Sequence, residues 1–241
     1  IYLYSMDNLL ARRLRRWGWG TGIATVVIVV VLALAGAYML DYSLFPKMRH
    51  GHNLPWRLDN IISESPQLRP WADSLKHCHA LHDTVVLMPT GERHHATYIN
   101  ASEPSRRVAV LVHGYRDNGM GMMHVASIYH HMGYNILLPD LHAHGKSEGE
   151  GVQMGWKDRL DVMRWMAVAD SLWGGTEGTA MVLHGISMGA ATVMCVSGER
   201  LPDYVKCFVE DCGYTSVWDE FGHELDSQFH LPAFPLLYTT S

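Results

Sequence analysis

Leu183-His184-Gly185-Ile186-Ser187-Met188-Gly189 decides how the rest of the chain is read. An apolar run from Thr179 to Leu183 leads into this Gly-x-Ser-x-Gly, and small residues with a helix-like pattern follow it. The pattern describes a serine on a sharp strand-to-helix turn, where only residues without bulk fit two positions either side; Gly185 and Gly189 meet that need. Such a turn lifts the Ser187 hydroxyl clear of a sheet. It also aims the backbone N–H of Met188 and the following helix at the point where charge develops on an attacked carbonyl. Glycine and serine are common in loops, so the surrounding sequence has to decide.

Upstream, Arg107 to Val112 is a near-continuous apolar run ending in His113-Gly114, and Tyr134 to Leu138 is another, closed by Pro139-Asp140. Such runs belong to strands buried on both faces. Thr84–Met88 and His95–Asn100 bracket Pro89-Thr90-Gly91-Glu92 and predict an antiparallel hairpin. Helices are predicted over Met120–Met132, over a stretch in which Trp156, Leu160, Met163 and Ala167 recur at helical spacing, and over Ala190–Ser197; a last strand is predicted over Val205–Glu210. Strands alternating with helices imply a mostly parallel sheet of the α/β class.

At the N-terminus, Arg12, Arg13, Arg15 and Arg16 precede Trp17, Trp19 and an uncharged apolar run from Gly20 to Leu40. That run is long enough to cross a bilayer core of about 30 Å. The arginines place residues 1–19 in the cytoplasm and everything from Asp41 onward across the membrane. Ala33-Leu34-Ala35 offers the competing reading of a cleaved signal peptide and a secreted protein. Residues 41–75, with Pro46, Pro55, Pro66 and Pro70, read as linker and short helices, and 76–241 as the α/β domain proper. The 241 residues carry a formal net charge of −5 and no long basic stretch, which disfavours a nucleic-acid partner. Cys78, Cys195, Cys207 and Cys212 are too scattered for a disulfide framework, and buried free thiols are expected.

His113-Gly114-Tyr115, Asp140-Leu141-His142-Ala143-His144-Gly145-Lys146-Ser147 and the Ser187 turn stand in one order after three successive strands. In this the chain resembles the α/β-hydrolase superfamily, and within it bacterial membrane-anchored hydrolases of the serine-aminopeptidase-like group, over roughly Asp83 to Tyr238. Glu210-Asp211-Cys212-Gly213-Tyr214-Thr215-Ser216 and Phe234-Pro235-Leu236-Leu237 are similar to that group as well. The resemblance implies Ser187 as nucleophile of an acyl transfer on an ester, thioester or amide of a small-molecule or peptide substrate. It implies backbone N–H groups of Tyr115 and Met188 as the oxyanion hole. The Asp140–Ser147 loop carries over as structure, with Ala143 where the group has glycine.

In this fold the triad runs Ser, then Asp or Glu, then His. The remaining sequence holds no further Gly-bounded buried strand, so both partners are expected beyond Ser241, and the 241 residues alone are expected to be nearly inert. Asp211 with His223 or His230 is a lesser local alternative, because Asp211 sits in a motif with a counterpart in the group and both histidines lie in a segment that reads as cap or lid. His184 reads as a packed strand-end residue. No cofactor and no metal is expected: His77-x-His79-x-x-His82, His94-His95, His130-His131 and His142-x-His144 lack a His-Glu-x-x-His spacing or a cysteine pair, and read as surface histidines. A membrane-tethered, non-catalytic binding module and a histidine-dependent metalloenzyme are the competing functions.

Overall fold

The computed structural model describes residues 2–45 and 54–239, with side chains for Trp17, 19–45 and 58–238. The side chains of Arg12, Arg13, Arg15 and Arg16, and the part of the expected linker from 46 to 53, lie outside the described residues. The chain divides into two compact units, residues 1–43 with 218–241, and residues 44–217.

The larger unit begins with α2 (Leu54–Glu64) and α3 (Arg69–His77), joined by a 3-10 turn at Pro66–Leu68. Prolines near the start of α3 fit its first turn, where an N–H has no partner to lose. In the stretch read as linker, Leu58, Ile61, Ile62, Ala72 and Leu75 pack into the same core as Ile99, Ala109, Leu111 and Ile136. β1 (Leu81–Leu87) and β2 (Arg93–Ile99) form the expected hairpin, with Leu87 opposite Arg93. β3 (Arg107–Val112), α4 (Met123–His131), β4 (Asn135–Pro139), α5 (Asp158–Trp173), β5 (Ala180–Ile186), α6 (Met188–Ser197) and β6 (Val205–Asp211) follow.

The strands lie in the order β1-β2-β4-β3-β5-β6; β2 is antiparallel to β1 and β4, and β4, β3, β5 and β6 are parallel. Val108 to Val112 have no exposed surface, as expected of a strand covered on both faces. Two helices depart from the sequence reading in phase. α5 packs on α6, β3 and β4 through Asp158, Asp161, Val162, Trp165, Met166 and Ala169, whereas Trp156 and Leu160 of the expected apolar stripe are exposed. In α4, Met123 and Ser127 are buried, whereas the apolar Ile128 points outward. The cysteines are free, yet Cys78, Cys207 and Cys212 are exposed; β6 borders the described sheet and carries Cys207 on a largely exposed strand.

The smaller unit holds α1 (Tyr2–Leu44), α7 (Val217–Phe229) and the short α8 (Ala233–Leu236). Within α1, Trp19–Leu44 is long and apolar enough to cross a membrane, with a mean hydropathy of 2.7 in its apolar window. Ile23, Val26, Ile28 and Leu34 are exposed along it. The hydroxyls of Thr21 and Thr25 donate to the carbonyls of Trp17 and Thr21, so neither leaves a polar hydrogen unmatched on the apolar surface.

Candidate active site

Ser187 stands alone between the end of β5 and the start of α6, with φ 55° and ψ −117°. A non-glycine residue there costs on the order of 1–3 kcal/mol and persists only when its surroundings impose it. They do so here at both ends of the turn. The Ser187 N–H donates to Asp211 O at 2.9 Å on the neighbouring strand, and Ser187 O accepts from Ala191 N–H at 3.0 Å as the first turn of α6. A Cβ on Gly185 would lie 2.2 Å from Gly189 O, and one on Gly189 would lie 2.1 Å from Val112 O. Strand and helix backbones meet too closely for any side chain at either position.

Register brings the β3 loop to this turn, because Val112 pairs with Gly185. The Cβ position of Gly114 lies 3.5 Å from Ser187 Cβ, so the backbone leading into Tyr115 runs beside the serine. His113 is buried and bridges two loops: one ring nitrogen, Nδ1, meets Gly114 O at 2.7 Å, and the other, Nε2, accepts from Leu141 N–H at 3.0 Å. These partners assign the tautomer protonated at Nδ1.

The Asp140–Ser147 loop is held from within. The Asp140 carboxylate accepts from Gly119 N–H (2.8 Å) and Lys146 N–H (2.9 Å) and meets His95 Nδ1 at 2.8 Å. Burial works against its charge, but the hydrogen bonds from His95, Lys146 and Gly119 outweigh burial and hold the carboxyl below its usual range. His95 Nε2 continues to Asp83 Oδ1 at 3.0 Å, and Lys146 Nζ reaches Asp83 Oδ2 at 3.0 Å. Ala143, at the group's glycine position, has φ 60°, a left-handed conformation that glycine adopts without strain.

His184 sits on β5 with Nδ1 3.2 Å from Tyr129 Oη and its ring edge-on to that tyrosine. Burial lowers its proton affinity, which suits a packed strand-end residue. Among the described residues, no side chain hydrogen-bonds the Ser187 hydroxyl. Asp211 belongs to the larger unit, and His223 and His230 to the smaller.

The histidine pairs of the sequence do not act as pairs. His77 and His79 are exposed, His82 stacks on Tyr98, and His130 accepts from Trp71 Nε1–H at 3.1 Å. His95 joins the Asp140 network. His94 and His142, from different pairs, instead come together with ring centroids 5.5 Å apart, beside Glu92 and Asp161. Burial and His142 push His94 down to about 4; burial, then Asp158 and Glu92, push Asp161 up to about 7. Sequence reasoning missed Glu92 and Asp161. Glu92 shares a strand face with His94 at a spacing of two, and Asp161 shares the helical period of Val162, Trp165 and Ala169.

No family model matches the chain. The curated protein YqkD of Bacillus subtilis (strain 168), described as uncharacterized, is 25% identical over 141 residues, covering 58% of this chain and 45% of that protein. A solved structure of the Pyrococcus furiosus esterase Pf2001 superposes with a TM-score of 0.54 at 22% identity, covering 66% of this chain and 60% of the esterase. A second crystal form gives 0.53 at 23%, covering 67% and 62%. The chain thus spans less than half the length of YqkD and 60% of the esterase. The likeness establishes the fold, which is that of the α/β-hydrolases, with a mixed, mostly parallel sheet; the long apolar N-terminal helix is read from this chain's own structure.

Proposed function

We propose that the protein is a membrane-anchored serine hydrolase that cleaves an ester, thioester or amide by acyl transfer through Ser187. The observation that carries this reading is the backbone at Ser187. A strained serine between two glycines that admit no side chain is maintained against a cost, and what it achieves is a hydroxyl presented at the head of a helix. Attack on a carbonyl would form the Ser187 Oγ–C bond and move the carbonyl π electrons onto oxygen. Backbone N–H groups of Tyr115 and Met188 would receive that charge, a reading that the β3–β5 register supports; removing one such donor typically costs about 10²- to 10³-fold in rate. The hydroxyl proton would pass to a histidine base oriented by a carboxylate, which would then protonate the leaving group. Water would release the acyl group by the same route.

The proposed membrane arrangement places the N-terminus in the cytoplasm and the hydrolase fold outside it, with α1 as the anchor. The function is tested by treating membranes that contain the full-length protein with a fluorophosphonate probe. Labelling is expected, and Ser187→Ala should abolish it without changing the melting temperature. Labelling that survives the substitution overturns the assignment of Ser187. A folded wild-type protein that never labels favours a tethered binding module instead.

A further inference from the structure

We propose that Glu92, His94 and His142 form a binding site for one Zn²⁺ ion, with Asp161 facing His94 as an outer carboxylate. Three separate stretches build the site. Glu92 immediately precedes β2 and His94 lies two residues on, so both project from one face of the strand. His142 follows β4, whose pairing with β2 continues past the strand end through Asp140 N–H on His95 O at 2.9 Å. Asp161 comes from the inward face of α5.

One potential ligand atom from each of Glu92, His94 and His142 lies within 4.8 Å of the others. His142 Nδ1 is 3.5 Å from Glu92 Oε2. Donors on a tetrahedral Zn²⁺, with bonds of about 2.0–2.1 Å, stand about 3.3–3.4 Å apart, so that pair is already near coordination spacing. The wider separations contract by side-chain rotation, for which partly exposed Glu92 has room. Thr90 Oγ1 donates to Glu92 Oε2 at 2.8 Å and orients the carboxylate from outside. Asp161 Oδ2 stands 3.4 Å from His94 Nδ1 without hydrogen-bonding it, so a small rotation would bring it into the relation in which a second carboxylate fixes the ring of a ligating histidine.

A second, independent observation points to a ligand. His94 has no exposed surface, and neither of its ring nitrogens has a hydrogen-bond partner; His142 Nδ1 is also buried without one. An imidazole must carry an N–H on one nitrogen when neutral, and leaving a buried donor unmatched costs about 1–3 kcal/mol. A cation would take lone pairs from both rings. Two imidazoles with one or two carboxylates suit Zn²⁺; Mg²⁺ and Ca²⁺ favour all-oxygen sites. The ion would pin the start of β2 to the loop whose Leu141 N–H holds His113, and so steady the backbone beside Gly114. This proposal stands apart from the role of Ser187.

The test uses full-length protein in detergent, purified through a tag without histidine and stripped by a chelator. Zn²⁺ titration by calorimetry and elemental analysis should give one ion per chain and a saturable rise in melting temperature. Glu92→Ala and His142→Ala should each weaken Zn²⁺ binding by at least about 10- to 100-fold, whereas the double change His77→Ala/His79→Ala should leave it unchanged. Absence of stoichiometric binding overturns the proposal. So does binding that survives Glu92→Ala and His142→Ala, or that disappears with the exposed His77 and His79. If circular dichroism shows the site variants unfolded, Co²⁺ in the wild-type protein decides. An intense four-coordinate spectrum supports the site, and the pale six-coordinate form overturns it.

Discussion

Ser187 and Ala143 show the same backbone problem solved for different ends. Both hold positive φ without being glycine. At Ser187 the proposed role gives a reason for tolerating the strain, because glycine would relax the turn and remove the hydroxyl. At Ala143 no comparable chemistry is visible, and the strain is borne by a loop tied down through Asp140. Asp158 poses a different question. Its Oδ2 accepts from Gly155 N–H at 2.8 Å at the start of α5, while Oδ1 is buried with no partner. Burial pushes its carboxyl up to about 6 from 3.8. The folded state therefore holds this proton more tightly than the unfolded chain does. The associated stability is fully present below pH 3.8 and is lost as pH rises through about 6. Two units correspond to roughly 2–3 kcal/mol. Asp158→Asn keeps an oxygen for Gly155 and cannot ionise, so urea unfolding should show the variant gaining about that much over wild type between pH 4 and pH 7.5. A difference that does not change with pH would show that Asp158 is not held protonated by burial.

At the scale of elements, α5 explains both what the sequence reveals and what it conceals. Its existence is legible from helical spacing, but its phase is not, because a reader assigns Asp158 and Asp161 to solvent and Trp156 to the core. The structure reverses this. Asp158 turns in to serve Gly155, Asp161 turns in toward His94, and Trp156 stays outside under the Arg159 guanidinium, 3.8 Å from its ring centroid. Trp165→Ala should accordingly cost about 3–5 kcal/mol, and Trp156→Ala no more than about 1 kcal/mol, in thermal or urea unfolding. The reverse ranking would place the sequence-derived stripe on the core. The same reasoning separates the two sites. The turn at Ser187 is legible because its constraint is local: glycines at fixed offsets between a strand and a helix. The Glu92–His94–His142 cluster is not, since its members are adjacent only after β2 and β4 pair and α5 docks. Charge on a helix and histidine on a strand look like surface until their partners are known.

At the scale of the whole molecule, the proposal to test is that α1 anchors the fold to a membrane and that the fold lies on its non-cytoplasmic side. The apolar part of α1, Trp19–Leu44, spans about 39 Å at 1.5 Å per residue, enough to cross with some tilt. An excess of arginine before it and none within it biases the N-terminus toward the cytoplasm. Three exposed thiols on the larger unit make that orientation measurable, since Cys78, Cys207 and Cys212 are free and accessible. The region before Asp41 contains no cysteine. A membrane-impermeant maleimide applied to right-side-out vesicles should therefore modify the protein without detergent, and inverted vesicles should protect it until detergent is added. The protein should also stay with the membrane at high salt and leave it only in detergent. Labelling confined to inverted vesicles would place the fold in the cytoplasm and reverse the topology. Recovery in the soluble fraction, shortened by the apolar run, would make residues before Gly36 a cleaved signal rather than an anchor. Retention with labelling from outside would put Ser187 and the Glu92–His94–His142 cluster beyond the cytoplasm. Any acyl substrate, and any Zn²⁺, would then have to reach them from that side.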